Sequence, residues 1–458
     1  MATVKDYEDR VLISGGGIVA FYSAQFLASR GVKVLLVHSS EFFRDIEAVY
    51  FNGSLDSTYS DAHGKGGLSK FWEFQLMKPS ICAFQTRPWI SKSHALSHQE
   101  LFDNEGIELQ KELGLHSFSN LRLPWIRKLG HKSLIPVLSQ FLPRSNYQEI
   151  FRVESSQNIE VFEGFLVHSF KENIADGSIE VEVRDLEGRV TKILCASLVL
   201  AAGTIGNAKI LNSTQISHKK NLWPTLGKSV QDHQIINLGI FRPRHRNPVR
   251  FAIPTFRRHG YSWKQKFQIT NLSDSSWKIP DFALEVTPLL SAHLIKSGAP
   301  NRLKKLSNAL SNWVFRVFAF DLHHKKRSVQ CELLTEDYHE NRMELAFMGN
   351  NVFIQNLTLP PIVFDDIRLL SIQALKNAGY ESDDPTFIMQ NSAYHLMGST
   401  PIGESAADSV VDATGSLHGF RKVKVLGLSS LSPVGFVNPT FSALVNARIF
   451  LEELIPNS

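Results

Sequence analysis

Cysteine is scarce. Only three of the 458 residues are cysteine, Cys82, Cys195 and Cys331, and they lie far apart, without metal-ligand spacing and without the even count of a disulfide framework. A disulfide-stapled scaffold and a cysteine zinc site are thereby excluded, and the thiols are expected to be reduced and structural. Long apolar runs are also missing. No uninterrupted stretch reaches the ~20 residues that a membrane helix needs, and no basic start followed by an apolar run precedes the first motif. The expected location is therefore cytoplasmic, with no transmembrane segment. There is no internal repeat, no low-complexity tract and no linker rich in Pro, Gly and Ser. A clean boundary between domains is accordingly not visible. What remains, 43% hydrophobic and 20% charged residues over this length, suffices for two buried cores.

The first motif stands near the N-terminus. Arg10-Val11-Leu12-Ile13-Ser14 reads as a strand, Gly15-Gly16-Gly17-Ile18-Val19-Ala20 as a glycine turn, 21–30 as a helix by its apolar spacing, and Val32-Lys33-Val34-Leu35-Leu36-Val37 as a second strand ending in His38-Ser39-Ser40. This is the βαβ dinucleotide fingerprint, in which small residues, here Gly15, Gly17 and Ala20, allow a tight turn and let backbone N–H groups approach a pyrophosphate. An acidic residue usually closes the second strand to hold a ribose; here Ser39 or Ser40 must serve. On these residues alone the cofactor is NAD, NADP or FAD.

Further along come Gly64-Lys65-Gly66-Gly67-Leu68-Ser69-Lys70-Phe71-Trp72, then Leu198-Val199-Leu200-Ala201-Ala202-Gly203-Thr204, then Leu226-Gly227-Lys228-Ser229-Val230-Gln231-Asp232-His233. Near the C-terminus stand Tyr394-His395-Leu396-Met397-Gly398-Ser399 and Ser432-Pro433-Val434-Gly435-Phe436-Val437-Asn438-Pro439-Thr440. Between the early and middle segments, 159–170, 179–183 and 190–194 read as a strand meander with a turn at Asp176-Gly177, and 441–454 has helical apolar spacing. Taken in this order, the segments resemble the glucose-methanol-choline (GMC) oxidoreductases, FAD-dependent enzymes that oxidise alcohols. The resemblance covers both ends and the middle of the chain, and leaves 74–149 and 241–388 with little beyond Asn341-Arg342-Met343-Glu344-Leu345, which looks like the family's strand before its last crossover.

The resemblance implies an α/β chain of two domains, with a Rossmann-type FAD-binding domain assembled from 1–75, 150–240 and 389–458 and an interleaved, sheet-based substrate domain from 76–149 and 241–388. It implies noncovalent FAD, since Phe71 offers no imidazole for attachment, and Trp72 stands where relatives commonly have Asn. The residues it assigns to the cofactor are Gly15, Gly17, Ala20, Ser39, Gly66, Gly67, Ser69, Trp72, Val167, Ala202, Gly203, Leu428, Asn438, Pro439 and Thr440. Leu428 stands where many relatives have Asp, so contact there must come from backbone or from the hydroxyls of Ser429 and Ser430. His395 is the expected base, because an imidazole with a reference pKa of ~6.5 accepts a hydroxyl proton at neutral pH. Asn438 is expected to hold the same substrate oxygen. The plainer alternative has His395 capping a turn and Asn438 serving its loop. His233 is expected to be structural. A flavin-binding relative without turnover, or a different flavin redox step on a biosynthetic intermediate, stands as the second functional reading.

The substrate is expected to be a small alcohol, a sugar or another hydroxyl compound, and the acceptor that reoxidises the flavin is a separate partner that no motif specifies. Residues 241–330 hold 17 Lys or Arg against 4 Asp or Glu in a chain whose formal net charge is +5. Two readings stand: a domain that draws an anionic or carrier-bound substrate, or a solvated basic face, which is favoured. No nucleic-acid motif accompanies the charge.

Overall fold

The computed structural model describes residues 3–40, 48–60, 63–71, 75–79, 92–116, 134–142, 150–153, 156–173, 175–244, 255–258, 261–269, 282–288, 328–335, 343–356, 361–382, 385, 388–390, 395–431 and 437–456. The chain begins β1 (Thr3–Ser14), α1 (Ile18–Ala28), β2 (Val34–His38), β3 (Val49–Phe51), β4 (Ser54–Leu55), β5 (Gln75–Leu76), α2 (Lys92–Glu112) and β6 (Leu134–Phe141). Its middle runs β7 (Ile159–Glu163), β8 (Leu166–Glu172), β9 (Ile179–Arg184), β10 (Val190–Leu200), α3 (Gly203–His218) and β11 (Gln234–Pro243). Then come β12 (Thr255–Arg258), β13 (Tyr261–Ile269), β14 (Phe282–Pro288), β15 (Val329–Thr335), β16 (Met343–Met348) and β17 (Asn351–Asn356). It ends α4 (Pro361–Asn377), β18 (Tyr380–Glu381), β19 (Ile388–Gln390), β20 (Val423–Val425) and α5 (Thr440–Leu451).

Seven strands form the first sheet, in the order β7-β2-β1-β10-β9-β8 with β20 also on β10. The β2, β7, β10 and β20 pairings around β1 and β10 are parallel, whereas β8, β9 and β10 form an antiparallel meander. The burial pattern follows from that difference. All five residues of β2 are buried, as parallel strands covered on both faces require, while β9 alternates buried and half-buried. The strand read from 10–14 is longer than the local sequence suggests, because β1 pairs with β10 from Thr3 to Tyr7 and, past a register shift, from Val11 to Ser14. The fingerprint helix starts at Ile18, three residues early, because Gly17 serves as its N-cap. The closing helix runs over Thr440–Leu451 and ends in a 3-10 turn, Glu452–Leu454. Arg448, buried on α5, clamps the helices together: its Nε donates to Glu105 at 2.9 Å, and its guanidinium also reaches the Tyr22 hydroxyl at 3.1 Å and Glu112 at 2.5 Å.

The second sheet has nine strands in the order β18-β11-β15-β14-β13-β6-β5, with β12 on β13 and β19 on β11. Its main pairings are antiparallel, so side chains alternate between two faces. One face carries Ile236, Phe267, Leu284 and Leu333, all buried, and packs with Ile367 and Leu375 of α4 in a separate apolar core. The other face looks toward the first sheet. A small third sheet, β16-β17-β3-β4, lies alongside. Cys195 and Cys331 are buried free thiols, and burial holds both in the protonated form; Cys82 lies outside the described residues. No helix among the described residues is long and apolar enough to cross a membrane. The expected α/β class, with a Rossmann-type sheet and a second sheet-based unit, is what the structure shows.

Candidate active site

A cavity of about 730 Å³ runs from the glycine turn to the polar face of the nine-stranded sheet. Three helices begin at its wall: α1 with Gly17 and Ile18, α3 with Gly203 and Thr204, and α5 with Asn438 and Thr440. None of the three has an acidic residue in its first turn or a side-chain bond from its own N-cap residue. Three positive helix ends around one cavity favour an anionic and electron-accepting occupant. Gly15 shows why the turn needs glycine. Its φ is +137°, and a Cβ there would run into the Ala201 carbonyl at the end of β10. This turn abuts β10 because Ala201 N–H donates to the Ser14 carbonyl at 2.8 Å, while Gly15 N–H donates to Val37 at 2.9 Å.

The residues read from sequence at this end fall into three groups. Gly15, Gly17, Ser39, Gly67, Ser69, Val167, Ala202 and Gly203 line the cavity. Gly66 and Ala20 support it from behind: Gly66 N–H donates to the Gly16 carbonyl at 2.7 Å, and Ala20 is fully buried in α1. Trp72 lies outside the described residues. Ser69 has a role that the sequence did not reveal, since its Oγ accepts from Ile18 N–H at 3.1 Å and donates to the Gly66 carbonyl at 2.6 Å, capping α1 from another segment. Ser39 Oγ accepts from Gly64 N–H at 3.0 Å, which ties the end of β2 to the second glycine loop. Sequence reasoning also missed the β9–β10 hairpin, where Arg184, Asp185, Leu186 and Gly188 close the cavity beside Val167. Their signal is only a hairpin turn, with nothing in it specific to a nucleotide.

His395 and Asn438 stand at the far end and line the same cavity. His395 belongs to a segment bolted to two others. Its N–H donates to Asp232 Oδ1 at 2.9 Å, Met397 and Gln231 exchange backbone bonds at 2.8 and 2.9 Å, and Ser399 Oγ donates to the Thr204 carbonyl at 2.7 Å. Gly398, with φ +80°, lets this segment approach β-bridged Gln231, because a Cβ would press on the Ser229 carbonyl. Tyr394 and residues 432–436 of the quoted motifs lie outside the described residues.

His233 is not remote from the chemistry. Its Nδ1 lies 3.0 Å from His395 Nδ1, with the rings edge to face. Only one of the two facing nitrogens carries the hydrogen. With the hydrogen on His395 Nδ1, its Nε2 keeps a lone pair and accepts a proton; with it on His233, His395 Nε2 is itself protonated. Burial, then the positive charge available to His233 and to Lys266, hold His395 well below the ordinary imidazole value of 6.5, so it is neutral at physiological pH.

Asn438 is 8% exposed, and its Oδ1 is buried with no hydrogen-bond partner among the described residues. A buried amide oxygen without a partner is costly and marks a place where a ligand completes the bonding. Pro439 is the N-cap of α5 and does not line the cavity, whereas Thr440 does. Leu428 lines the cavity together with Gly427. The neighbouring serines do not: Ser429 Oγ accepts from Asn207 Nδ2 at 2.8 Å, and both Ser429 and Ser430 are buried in the loop. The cavity's size, the glycine cradle, three helix N-termini and the orphaned Asn438 oxygen together fit the FAD that the resemblance implies.

The third wall comes from the nine-stranded sheet, through Gln75, Ile235, Lys266, Glu285, Glu332 and Leu333. No motif pointed to these residues.

Comparison with known proteins follows the same lines. The GMC oxidoreductase family model matches residues 366–447, which include both His395 and Asn438. Pyridoxine 4-oxidase from Mesorbium loti shares the fold at a TM-score of 0.61 and 12% identity, over 98% of this chain and 99% of that one. Formate oxidase does so at a TM-score of 0.54 and 13% identity, over 99% and 98%. Among curated proteins, none matches the sequence.

Proposed function

With its C-terminal part matched by the GMC oxidoreductase model and its whole length in the fold of two oxidases, the chain bears out its resemblance to the GMC oxidoreductases, and from that premise we propose that it oxidises an alcohol to a carbonyl compound with noncovalently held FAD. The observation that carries the proposal is the meeting, in one cavity that begins at the dinucleotide turn, of a neutral imidazole and an amide whose oxygen has no partner among the described residues. FAD, when bound, supplies the two-electron acceptor for hydride.

In this reading His395 Nε2 takes the hydroxyl proton, Asp232 holds the His395 backbone, His233 holds the ring and sets its tautomer, and the Asn438 amide donates to the oxygen on which charge develops. As the O–H bond gives its proton to His395 and the carbinol carbon releases hydride, the C–O bond becomes a carbonyl. The dinucleotide portion is assigned to Gly15, Gly17, Ser39, Gly67, Ser69 and Val167, the flavin portion to Ala202, Gly203, the Leu428 backbone and Thr440, with the first sheet as the FAD domain and the second as the substrate domain. Two buried, unpaired thiols support a reducing, cytoplasmic setting.

The visible spectrum of the purified protein tests this, before and after anaerobic addition of alcohols. Flavin absorption that bleaches with an alcohol is the expected result. No flavin, even after reconstitution with FAD, overturns it in favour of a relative without turnover, and bleaching only by compounds that lack a hydroxyl points to another redox step.

A further inference from the structure

The two side chains of β5 part company. Leu76 is fully buried in the main apolar core, whereas Gln75, itself 2% exposed, lines the cavity. The pairing explains the difference. Gln75 is opposed by Phe141 of β6 and Leu76 by Gln140, so the two lie on opposite faces of the sheet. Along β6 the face of Phe141 continues through Ser139 to Val137, and Val137 is opposed by Lys266 of β13. Gln75 therefore stands on the same wall as Lys266, whose charge reaches the His395 ring, but nearer the edge of the sheet. It also follows closely on the glycine loop of Gly66, Gly67 and Ser69. The cradle assigned to the cofactor and the wall that shares the cavity with the base thus meet at this side chain.

The amide is held at one end. Gln75 Nε2 donates to Ser139 Oγ on the neighbouring strand, which fixes the orientation of the group. Its Oε1 makes no hydrogen bond among the described residues. A nearly buried amide oxygen without a partner is costly, and an apolar side chain would fill the same position without that cost. A ligand that supplies the missing donor accounts for the amide. His395 and Asn438 already serve the reacting hydroxyl, so Gln75 serves a second group, and a neutral amide suits a neutral one.

We infer that the substrate carries a second hydroxyl, remote from the carbinol that reacts, and that this hydroxyl donates to Gln75 Oε1. The inference names a substrate class, diols and other polyhydroxylated alcohols, and rests on the proposed alcohol oxidation for its reaction, although not for its binding. A monofunctional alcohol leaves the amide oxygen bare, and an ether oxygen, which only accepts, sets one acceptor against another. Ser139 is a positioning residue in this account, since it orients the amide and is not part of the cavity lining.

An anaerobic titration followed through the flavin spectrum separates the two claims, because perturbation of the absorption reports binding and bleaching reports oxidation. The ligands are butane-1,4-diol, pentane-1,5-diol and hexane-1,6-diol, their monomethyl ethers and the matching alkan-1-ols, whose flexible chains span a range of separations. The best diol is expected to bind at least about tenfold more tightly than its ether and its alkanol, the scale of one buried hydrogen bond. That margin is expected to vanish in Gln75→Met, with flavin retained, and to shrink in Ser139→Ala, where the amide is free to turn. Equal binding of diol, ether and alkanol in the wild type overturns the inference, as does a margin that survives in Gln75→Met. Loss of flavin from a folded Gln75→Met overturns it too, by assigning the amide to the cofactor. Should Gln75→Met fold poorly, the Ser139→Ala margin decides, and an unchanged one counts against the inference. Protein that holds no flavin is titrated calorimetrically with the same ligands and judged by the same ranking. Diol selectivity without bleaching by any alcohol removes the oxidation reading and leaves the Gln75 subsite standing; bleaching without diol selectivity does the reverse.

Discussion

The two large sheets meet at one cavity, yet they are written into the sequence in different ways. The seven-stranded sheet presents the cavity with a contiguous turn: Ser14, Gly15, Gly16, Gly17 and Ile18 follow one another, and β2 is apolar throughout. The nine-stranded sheet presents it with residues drawn from five strands, one or two from each, set between apolar residues that face the other way. A parallel βαβ unit gathers its ligand-binding groups locally because its helix begins where its strand ends. An antiparallel sheet gathers them only after long-range pairing, so each residue looks like an ordinary polar member of an alternating strand. The cavity residues beside the glycine turn are thus readable from short words in the sequence, and those of the nine-stranded sheet only from register.

If the division of labour is right, the largest loss of activity comes from a residue that neither sheet contributes. His395→Ala is expected to lower kcat/KM by about 10²–10⁴-fold, the usual contribution of a positioned acid or base, with flavin retained. Steady-state assays that show full alcohol oxidation in this variant remove the base assignment.

The next test works on the hidden face of the second sheet. Leu284 is fully buried against the α4 core and neighbours Glu285 on the opposite side. Leu284→Ala is expected to destabilise by about 2–5 kcal/mol through lost packing and the cavity left behind, measured by urea unfolding, while flavin content is kept. Lost flavin with unchanged stability would mean that the two faces are not the separate surfaces described.

In the first sheet, by contrast, stability and ligand binding are expected to fail together. Gly15→Ala places a side chain at φ +137° and against the Ala201 carbonyl, and the backbone conformation alone costs about 1–3 kcal/mol. The expected result is protein purified without flavin and with a lower unfolding midpoint. Normal flavin content would show that the turn has room that its geometry denies.

The same contrast explains what could be read in advance. The fingerprint, the strand meander read over 159–194, the α5 helix and the placing of His395 and Asn438 on one cavity were legible, since each depends on adjacent residues or on a resemblance carried by adjacent residues. Three features were not. Ser69 caps α1 across 51 positions of sequence, and nothing in Leu68-Ser69-Lys70 reports that. His233 looked structural because it follows Asp232 in a family motif that shapes the FAD domain, while its ring contact with His395 depends on how two distant segments cross. Lys266, Glu285 and Glu332 come from three strands of the nine-stranded sheet, and only the register sets them side by side on the cavity wall.

The smallest effect, and the sharpest link between the sheets, is electrostatic. Lys266 belongs to the second sheet, His395 to the segment seated on the first, and the lysine's charge is one of the forces that lower the imidazole pKa, after burial and His233. A group whose folded pKa is depressed in this way is neutral at pH 7, and protonation switches off the base only as pH falls well below 6.5. Removing the lysine's charge must then raise the His395 pKa. In Lys266→Met the acid limb of the kcat/KM profile is expected to move toward higher pH, although the imidazole itself is untouched. The unfolded chain, with its histidine near 6.5, binds the proton that the folded chain refuses, so His395 also lowers wild-type stability as pH drops below that value, and less so in the variant. An acid limb that stays in place, or moves toward lower pH, would show that Lys266 does not act on the imidazole and that the two sheets contribute to the reaction independently.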